Sequence, residues 1–143
     1  MKQIVSILFA MLAIFNTTAC NNTPKSENII SDNDKELKVI EVYYFHYTRR
    51  CITCNAVEKI TLDALKEYFA KEVDSGKIVF KSINLDDKVN EALAEKLKIS
   101  GQTLMFIAGN NKINLTNDGF MYAKNNPDKL KAKVKSVIDK MMK

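Results

Sequence analysis

The junction at Cys51-Ile52-Thr53-Cys54 constrains the fold of this chain more than any other feature. Before it, Lys38-Val-Ile-Glu-Val-Tyr-Tyr-Phe45 is dense in β-branched and aromatic residues and predicts a buried strand. After it, Val57, Ile60, Ala64, Leu65, Tyr68 and Phe69 recur at helical spacing, and Ser75-Gly76 marks the stop. The two cysteines therefore open a helix that follows a buried strand.

The rest of the pattern continues the alternation. Lys77 to Leu85 predicts a second strand, and Asp86-Asp87 offers an N-cap for a short helix with Val89, Leu93, Ala94 and Leu97 on its apolar face. Thr103 to Ala108 is an apolar strand, Gly109-Asn110-Asn111 a tight turn, and Lys112 to Leu115 its hairpin partner. Asn117 to Asn126 reads as a loop with at most one helical turn at Phe120–Ala123. Pro127 then suits the first turn of a last helix striped by Leu130, Val134, Val137, Ile138 and Met141. The order is β-α-β-α-β-β-α, an α/β protein without internal repeats. At 143 residues, 46% hydrophobic and 27% charged, the chain has room for one domain and is neither disordered nor of low complexity.

Residues 1–19 stand apart from this pattern. Lys2 precedes an apolar run from Ile4 to Phe15, too short for the ~20 residues of a spanning helix but right for the core of a secretory signal. Thr18-Ala19 before Cys20 resembles a bacterial lipobox, with Thr17 where Leu is usual. Lipidation at Cys20 is expected, the alternative being ordinary cleavage near Ala19. Residues 20–35 are polar and read as a tether carrying the domain, residues 36–143, away from a bacterial membrane. The expected location is exported, lipid-anchored, facing the periplasm or the outside.

Charge and ligand counts exclude several classes. A net charge of +5 is too mild to argue for nucleic acid, and the run Lys129, Lys131, Lys133 and Lys135 reads as a solvated helix face. Three cysteines and the single His46 are too few for a multi-cysteine zinc module, and a Ser-His-Asp hydrolase would have to be built on His46 alone. Chemistry concentrates on Cys51 and Cys54. The free N–H groups and positive dipole end of a helix start stabilise an anion at Cys51. Arg49 and Arg50 directly before it add positive charge, so its thiol pKa is expected to fall from about 8.5 toward ~3.5–7.5. Cys54, one turn on, should be more buried and could resolve a mixed disulfide. Two alternatives compete: a structural disulfide, and half of a metal or metalloid site with His46 as a third ligand. His46 is either an acid–base group tuning the thiolate or a strand-end residue bonded to backbone. Tyr43, Tyr44 and Tyr47 read as core or site wall, and Glu58, Lys59, Asp63 and Glu67 as a solvated face.

The element order and motif position resemble the thioredoxin fold over residues 36–143, a central mixed sheet flanked by helices. More closely, Val42-Tyr-Tyr-Phe-His46, Arg49-Arg-Cys-Ile-Thr-Cys54, Ile83-Asn84, Ser100-Gly101 and Leu115-Thr-Asn-Asp-Gly-Phe-Met-Tyr-Ala123 are similar to exported bacterial thioredoxin-like proteins of the ArsF type, labelled nitrophenyl compound nitroreductase subunits. Nitro reduction normally requires a flavin, and the chain carries no recognisable flavin motif. The resemblance implies a thiol–disulfide oxidoreductase working through a redox-active Cys51–Cys54 disulfide, with no other cofactor. Its partners would be a protein or small-molecule disulfide or thiol and a membrane thiol carrier. It also implies a substrate-facing loop, here Gly101, Gln102 and Thr103. Thioredoxins carry a cis-proline there; Ser100-Gly101-Gln102-Thr103 has none, and a non-proline cis bond would cost ~2.5–4 kcal/mol, so a trans bond is expected. Nor does Tyr43-Tyr44-Phe45 contain the buried acid that thioredoxins place before the motif, which leaves His46 or solvent for proton transfer. The link to arsenic handling motivates an alternative, a binding or docking subunit holding a soft metal or arsenic(III) through the same two thiolates.

Overall fold

The computed structural model describes residues 38–143; the expected signal, Cys20 and the tether lie outside the described residues. The elements run β1 (Ile40–His46), α1 (Ile52–Asp74), β2 (Ile78–Asn84), a 3-10 turn (Lys88–Asn90), α2 (Glu91–Leu97), β3 (Thr103–Ala108), β4 (Asn111–Asn114), α3 (Thr116–Tyr122) and α4 (Pro127–Met141). The strands form one mixed sheet in the order β2-β1-β3-β4. β1 is parallel to β2 and antiparallel to β3, and β3 is antiparallel to β4. A parallel β1–β2 pair needs a crossover, and α1 supplies it.

Both faces of the sheet are covered, which is why β1 and β3 read as nearly unbroken apolar runs. Successive side chains on a strand point to opposite faces. Val42 and Tyr44 of β1 join Leu104 and Phe106 of β3 in a core closed by α1 and by Leu130, Val134 and Ile138 of α4. Tyr43 and Phe45 face the other way with Met105 and Ile107, beneath Leu93 and Leu97 of α2. The structure is thus an α/β protein with a central mixed sheet flanked by helices.

Three local differences from the expected pattern have physical causes. Residues 116–122 form a helix rather than a loop. Asn114 Oδ1 accepts from the Thr116 N–H at 2.8 Å, and Gly119 lets α3 press on α1, since a Cβ there would sit 3.2 Å from Val57 Cγ1. The Asn-Asp-Gly turn signal is thus a close approach between helices. Val89 is 85% exposed, because its segment is a 3-10 turn ahead of α2 rather than part of α2's apolar face. Asp87 caps nothing with its side chain, and its neighbour Asp86 is occupied elsewhere.

The hairpin between β3 and β4 turns on Gly109-Asn110, with Ala108 opposite Asn111. Gly109 has φ +58, and among the described residues Lys98 is the sole non-glycine at positive φ, so positive φ falls only on the first central residue, the type II′ pattern. Of the late lysines, Lys131 pairs with Glu67 at 2.7 Å, Lys133 with Asp118 at 3.4 Å and Lys135 with Asp139 at 2.6 Å. Exposed pairs of this kind contribute at most about 1 kcal/mol each.

Candidate functional site

Cys51 is extended (φ −79, ψ 166) and is the N-cap of α1. Serine, threonine, aspartate or asparagine usually takes this position because a side-chain acceptor can meet a free helix N–H. A sulfur takes it here: the Cys54 N–H donates to Cys51 Sγ at 3.1 Å. The first turn of α1 carries no acidic residue, so nothing within it opposes negative charge on that sulfur. Cys51 and Cys54 are disulfide-bonded with their Cα atoms 5.1 Å apart. Cys51 is exposed, whereas Cys54 is 2% exposed. The exposed and buried members of the pair are those expected from the sequence.

The loop leading to Cys51 is held from below. The Thr48 N–H donates to Asp86 Oδ2 at 2.7 Å, and the Asn84 side-chain amide donates to Thr48 Oγ1 at 3.0 Å. The bond from the Thr48 backbone, with a second from its side chain, keeps the Asp86 carboxyl below the usual carboxylate range. Deeper, the Tyr44 hydroxyl donates to the Cys54 carbonyl at 2.9 Å, and burial pushes that hydroxyl's pKa up, so it stays a donor. Neither contact was legible in the sequence. Asp86 read as a helix cap and Tyr44 as wall.

The two arginines part company. Arg49 is exposed. Arg50 lies over the Tyr44 ring, 5.5 Å from its centroid, and pairs with Glu58 of α1. Its Nε meets no hydrogen-bond acceptor among the described residues; its Nη2 meets Glu58 as an ion pair outside hydrogen-bond geometry. Glu58, expected on a solvated face, is therefore half-buried and committed. The signal was available in the spacing, since residue 58 lies one helical turn after the buried Cys54. Burial alone would raise the Glu58 carboxyl, but Ser82 and the Arg50 guanidinium beside it outweigh burial and hold its pKa below the usual carboxylate range.

A depressed carboxyl stabilises the fold fully above its unfolded value and loses that contribution as pH falls through its lower folded value. Glu58→Gln is therefore expected to lower the melting temperature at pH ~7 and to converge with the unsubstituted chain at pH ~3. A melting-temperature gap that stays constant between those two pH values would contradict the pairing.

His46 Nδ1 is 2.9 Å from the Tyr47 carbonyl. A carbonyl only accepts, so Nδ1 carries the hydrogen and Nε2 is left as the free acceptor. The backbone-bonded state of His46 is thus the one seen. The loop expected to face the substrate is brought in by strand register: Phe45 opposite Thr103 sets the start of β3 beside the end of β1. Gln102 Oε1 then lies 3.2 Å from Cys54 Sγ, and Thr103 Oγ1 donates to the Gly101 carbonyl at 2.9 Å. A Cβ on Gly101 would be 4.0 Å from the Tyr47 hydroxyl. All peptide bonds among the described residues are trans, Gln102–Thr103 included.

Tyr47, Leu85, Asp86, Ala94, Ile99 and Ser100 help to line an open cleft of about 440 Å³, whose lining includes neither cysteine. Among the described residues no group of three or more His, Cys, Asp or Glu side chains is arranged to hold a metal ion. His46 and the two sulfurs accordingly do not form a three-ligand set. Among the same residues no helix is long and apolar enough to cross a membrane. Chemically, the arrangement offers one accessible sulfur at a helix N-terminus and one shielded sulfur beside an amide.

No protein-family model and no curated protein matches the chain. Among solved structures, one described as "Structure of a malarial protein" is 24% identical over 52% of this chain and 75% of its own, with a TM-score of 0.39. That likeness is too slight in shape to carry an argument about fold or function.

Proposed function

We propose that this protein is an extracytoplasmic thiol–disulfide oxidoreductase of thioredoxin fold, anchored to a bacterial membrane through lipid on Cys20 and related to the ArsF-type exported family. One observation carries the catalytic part of this reading: an exposed Cys51 sulfur at the N-cap of α1, bonded to a shielded Cys54 one turn on. The fold reading is supported by the strand order, with β1 central, β2 parallel to it and the β3–β4 hairpin antiparallel, and by helices on both faces.

In the reaction, the Cys51 thiolate attacks one sulfur of a substrate disulfide, forming a mixed disulfide and expelling the other substrate sulfur as a thiolate. Cys54 then attacks Cys51 Sγ, restores the Cys51–Cys54 disulfide and releases the second substrate thiol. The substrate gains the two electrons that the dithiol loses. A membrane thiol carrier returns the pair to the dithiol.

The helix N-terminus and Arg49 favour the Cys51 thiolate. Arg50 contributes less than its position in the sequence suggests, because Glu58 neutralises it. Its role is to brace Tyr44, whose hydroxyl holds the Cys54 carbonyl. His46, bonded to backbone through Nδ1, has Nε2 free to take the Cys51 proton at the mouth of the site. Gly101, Gln102 and Thr103 border the space where a substrate sulfur would lie. The reading is tested by whether the pair cycles reversibly against a thiol buffer; a pair that stays oxidised throughout would refute it.

A further inference from the structure

We infer that Gln102 is a positioning residue for Cys54, its amide oxygen accepting from the thiol and, after a half-turn of the amide, its NH2 group donating to the thiolate. This rests on the exchange reading of the pair. It assigns to Gln102 a role in one step, resolution of the mixed disulfide, rather than contact with substrate.

Gln102 Oε1 lies 3.2 Å from Cys54 Sγ. In the disulfide seen here the Cys54 sulfur has no proton to give that oxygen; the reduced thiol has one, and the thiolate again has none. Lone pairs would then face each other, and turning the amide over exchanges the acceptor for a donor without moving the backbone. The backbone groups of Cys54 are already committed, its N–H to Cys51 Sγ and its carbonyl to the Tyr44 hydroxyl. Among the described residues Gln102 is the side chain whose polar atom lies within hydrogen-bond distance of the Cys54 sulfur.

Charge on that sulfur needs such a partner. Cys54 is 2% exposed, and burial without a donor raises a thiol's pKa. The titratable and charged groups around it are few. Its own turn brings Cys51, β1 brings Tyr44 and His46, and the loop before α1 brings Arg50, spent on Glu58. The loop entering β3 brings only the uncharged Gln102 and Thr103. No carboxylate on Tyr43-Tyr44-Phe45 takes the Cys54 proton, so the proton leaves to water and the amide steadies the anion left behind. That thiolate attacks Cys51 Sγ, the bond from Cys51 to the substrate sulfur breaks, and the substrate leaves as a thiolate that takes a proton from water.

The test is single-turnover reaction of the reduced full-length chain, carrying Cys20→Ser so that the pair supplies every thiol, with a chromogenic aromatic disulfide. The first thiolate released reports attack by Cys51, and the second reports resolution by Cys54. Gln102→Leu is expected to slow the second release about tenfold more than it slows the first, and to move the pH midpoint of the second upward by about one. Gln102→Glu keeps the shape but loses the donor, and its ionised carboxylate repels the thiolate; its midpoint should move further than that of Gln102→Leu. Second-phase pH profiles that coincide in all three chains would overturn the inference while the exchange reading stands. Absence of the first release from the unsubstituted chain would overturn both. An equal slowing of both phases with unmoved midpoints would mark Gln102 as merely structural.

Discussion

Cys51→Ser is expected to abolish disulfide exchange, a loss on the order of a thousandfold or more, while leaving the fold intact. Serine is itself a favoured N-cap, so its hydroxyl can take over the bond from the Cys54 N–H that Cys51 Sγ now accepts at 3.1 Å. What disappears is the exposed sulfur nucleophile. Cys54→Ser should behave differently: the first attack proceeds, and the chain accumulates as a mixed disulfide through Cys51 that mass spectrometry detects. The asymmetry follows from burial, because the substrate can reach the exposed Cys51 but not Cys54. Mixed disulfides that collect on Cys54 of the Cys51→Ser chain, with none on Cys51 of the Cys54→Ser chain, would reverse the assigned order of attack.

The largest expected effect on stability lies away from the sulfurs. Phe106 is fully buried at the middle of β3, opposite Val42 of β1 and Ile113 of β4. It belongs to the core beneath α1 and α4, so truncation leaves a cavity that packed helices cannot easily collapse. Phe106→Ala should therefore cost ~3–5 kcal/mol, a large part of the ~5–15 kcal/mol typical of a domain. Met121→Ala, on an exposed position of α3, should change stability by no more than ~0.5 kcal/mol. Urea unfolding of the two variants measures the contrast. A Phe106→Ala cost below ~1 kcal/mol would mean that the sheet face is not packed as described.

What could be read from the residues was local. The strand before Cys51, the helix after it and the burial difference between the cysteines follow from period and position within one segment. Leu130, Val134, Ile138 and Met141 turned out buried because a helical stripe depends only on the helix's own spacing. The predicted hairpin lies within a residue of its place because Gly109 supplies the turn.

The remainder depends on contacts between distant segments. Gln102 meets Cys54 across 48 positions only because Phe45 registers with Thr103. Asp86 reaches Thr48 across 38 positions because β2 lies beside β1. Asn117-Asp118-Gly119 carries the signature of a turn, yet it is helical because Gly119 lets α3 approach Val57. Arg50 read as a free cation beside Cys51; the half-buried carboxylate of Glu58 claims it. In each case the local propensity was correct as far as it went, and tertiary contact decided the outcome.

The reversibility of the Cys51–Cys54 bond is the central claim. It is measured by equilibrating the full-length chain across glutathione buffers of graded ratio and counting the free thiols of the Cys51–Cys54 peptide by mass. A single reversible two-electron transition between ~−270 and −120 mV is expected, the span of enzymes that exchange disulfides through such a pair. A disulfide that remains fully formed at every ratio would contradict the claim and make the bond a structural staple.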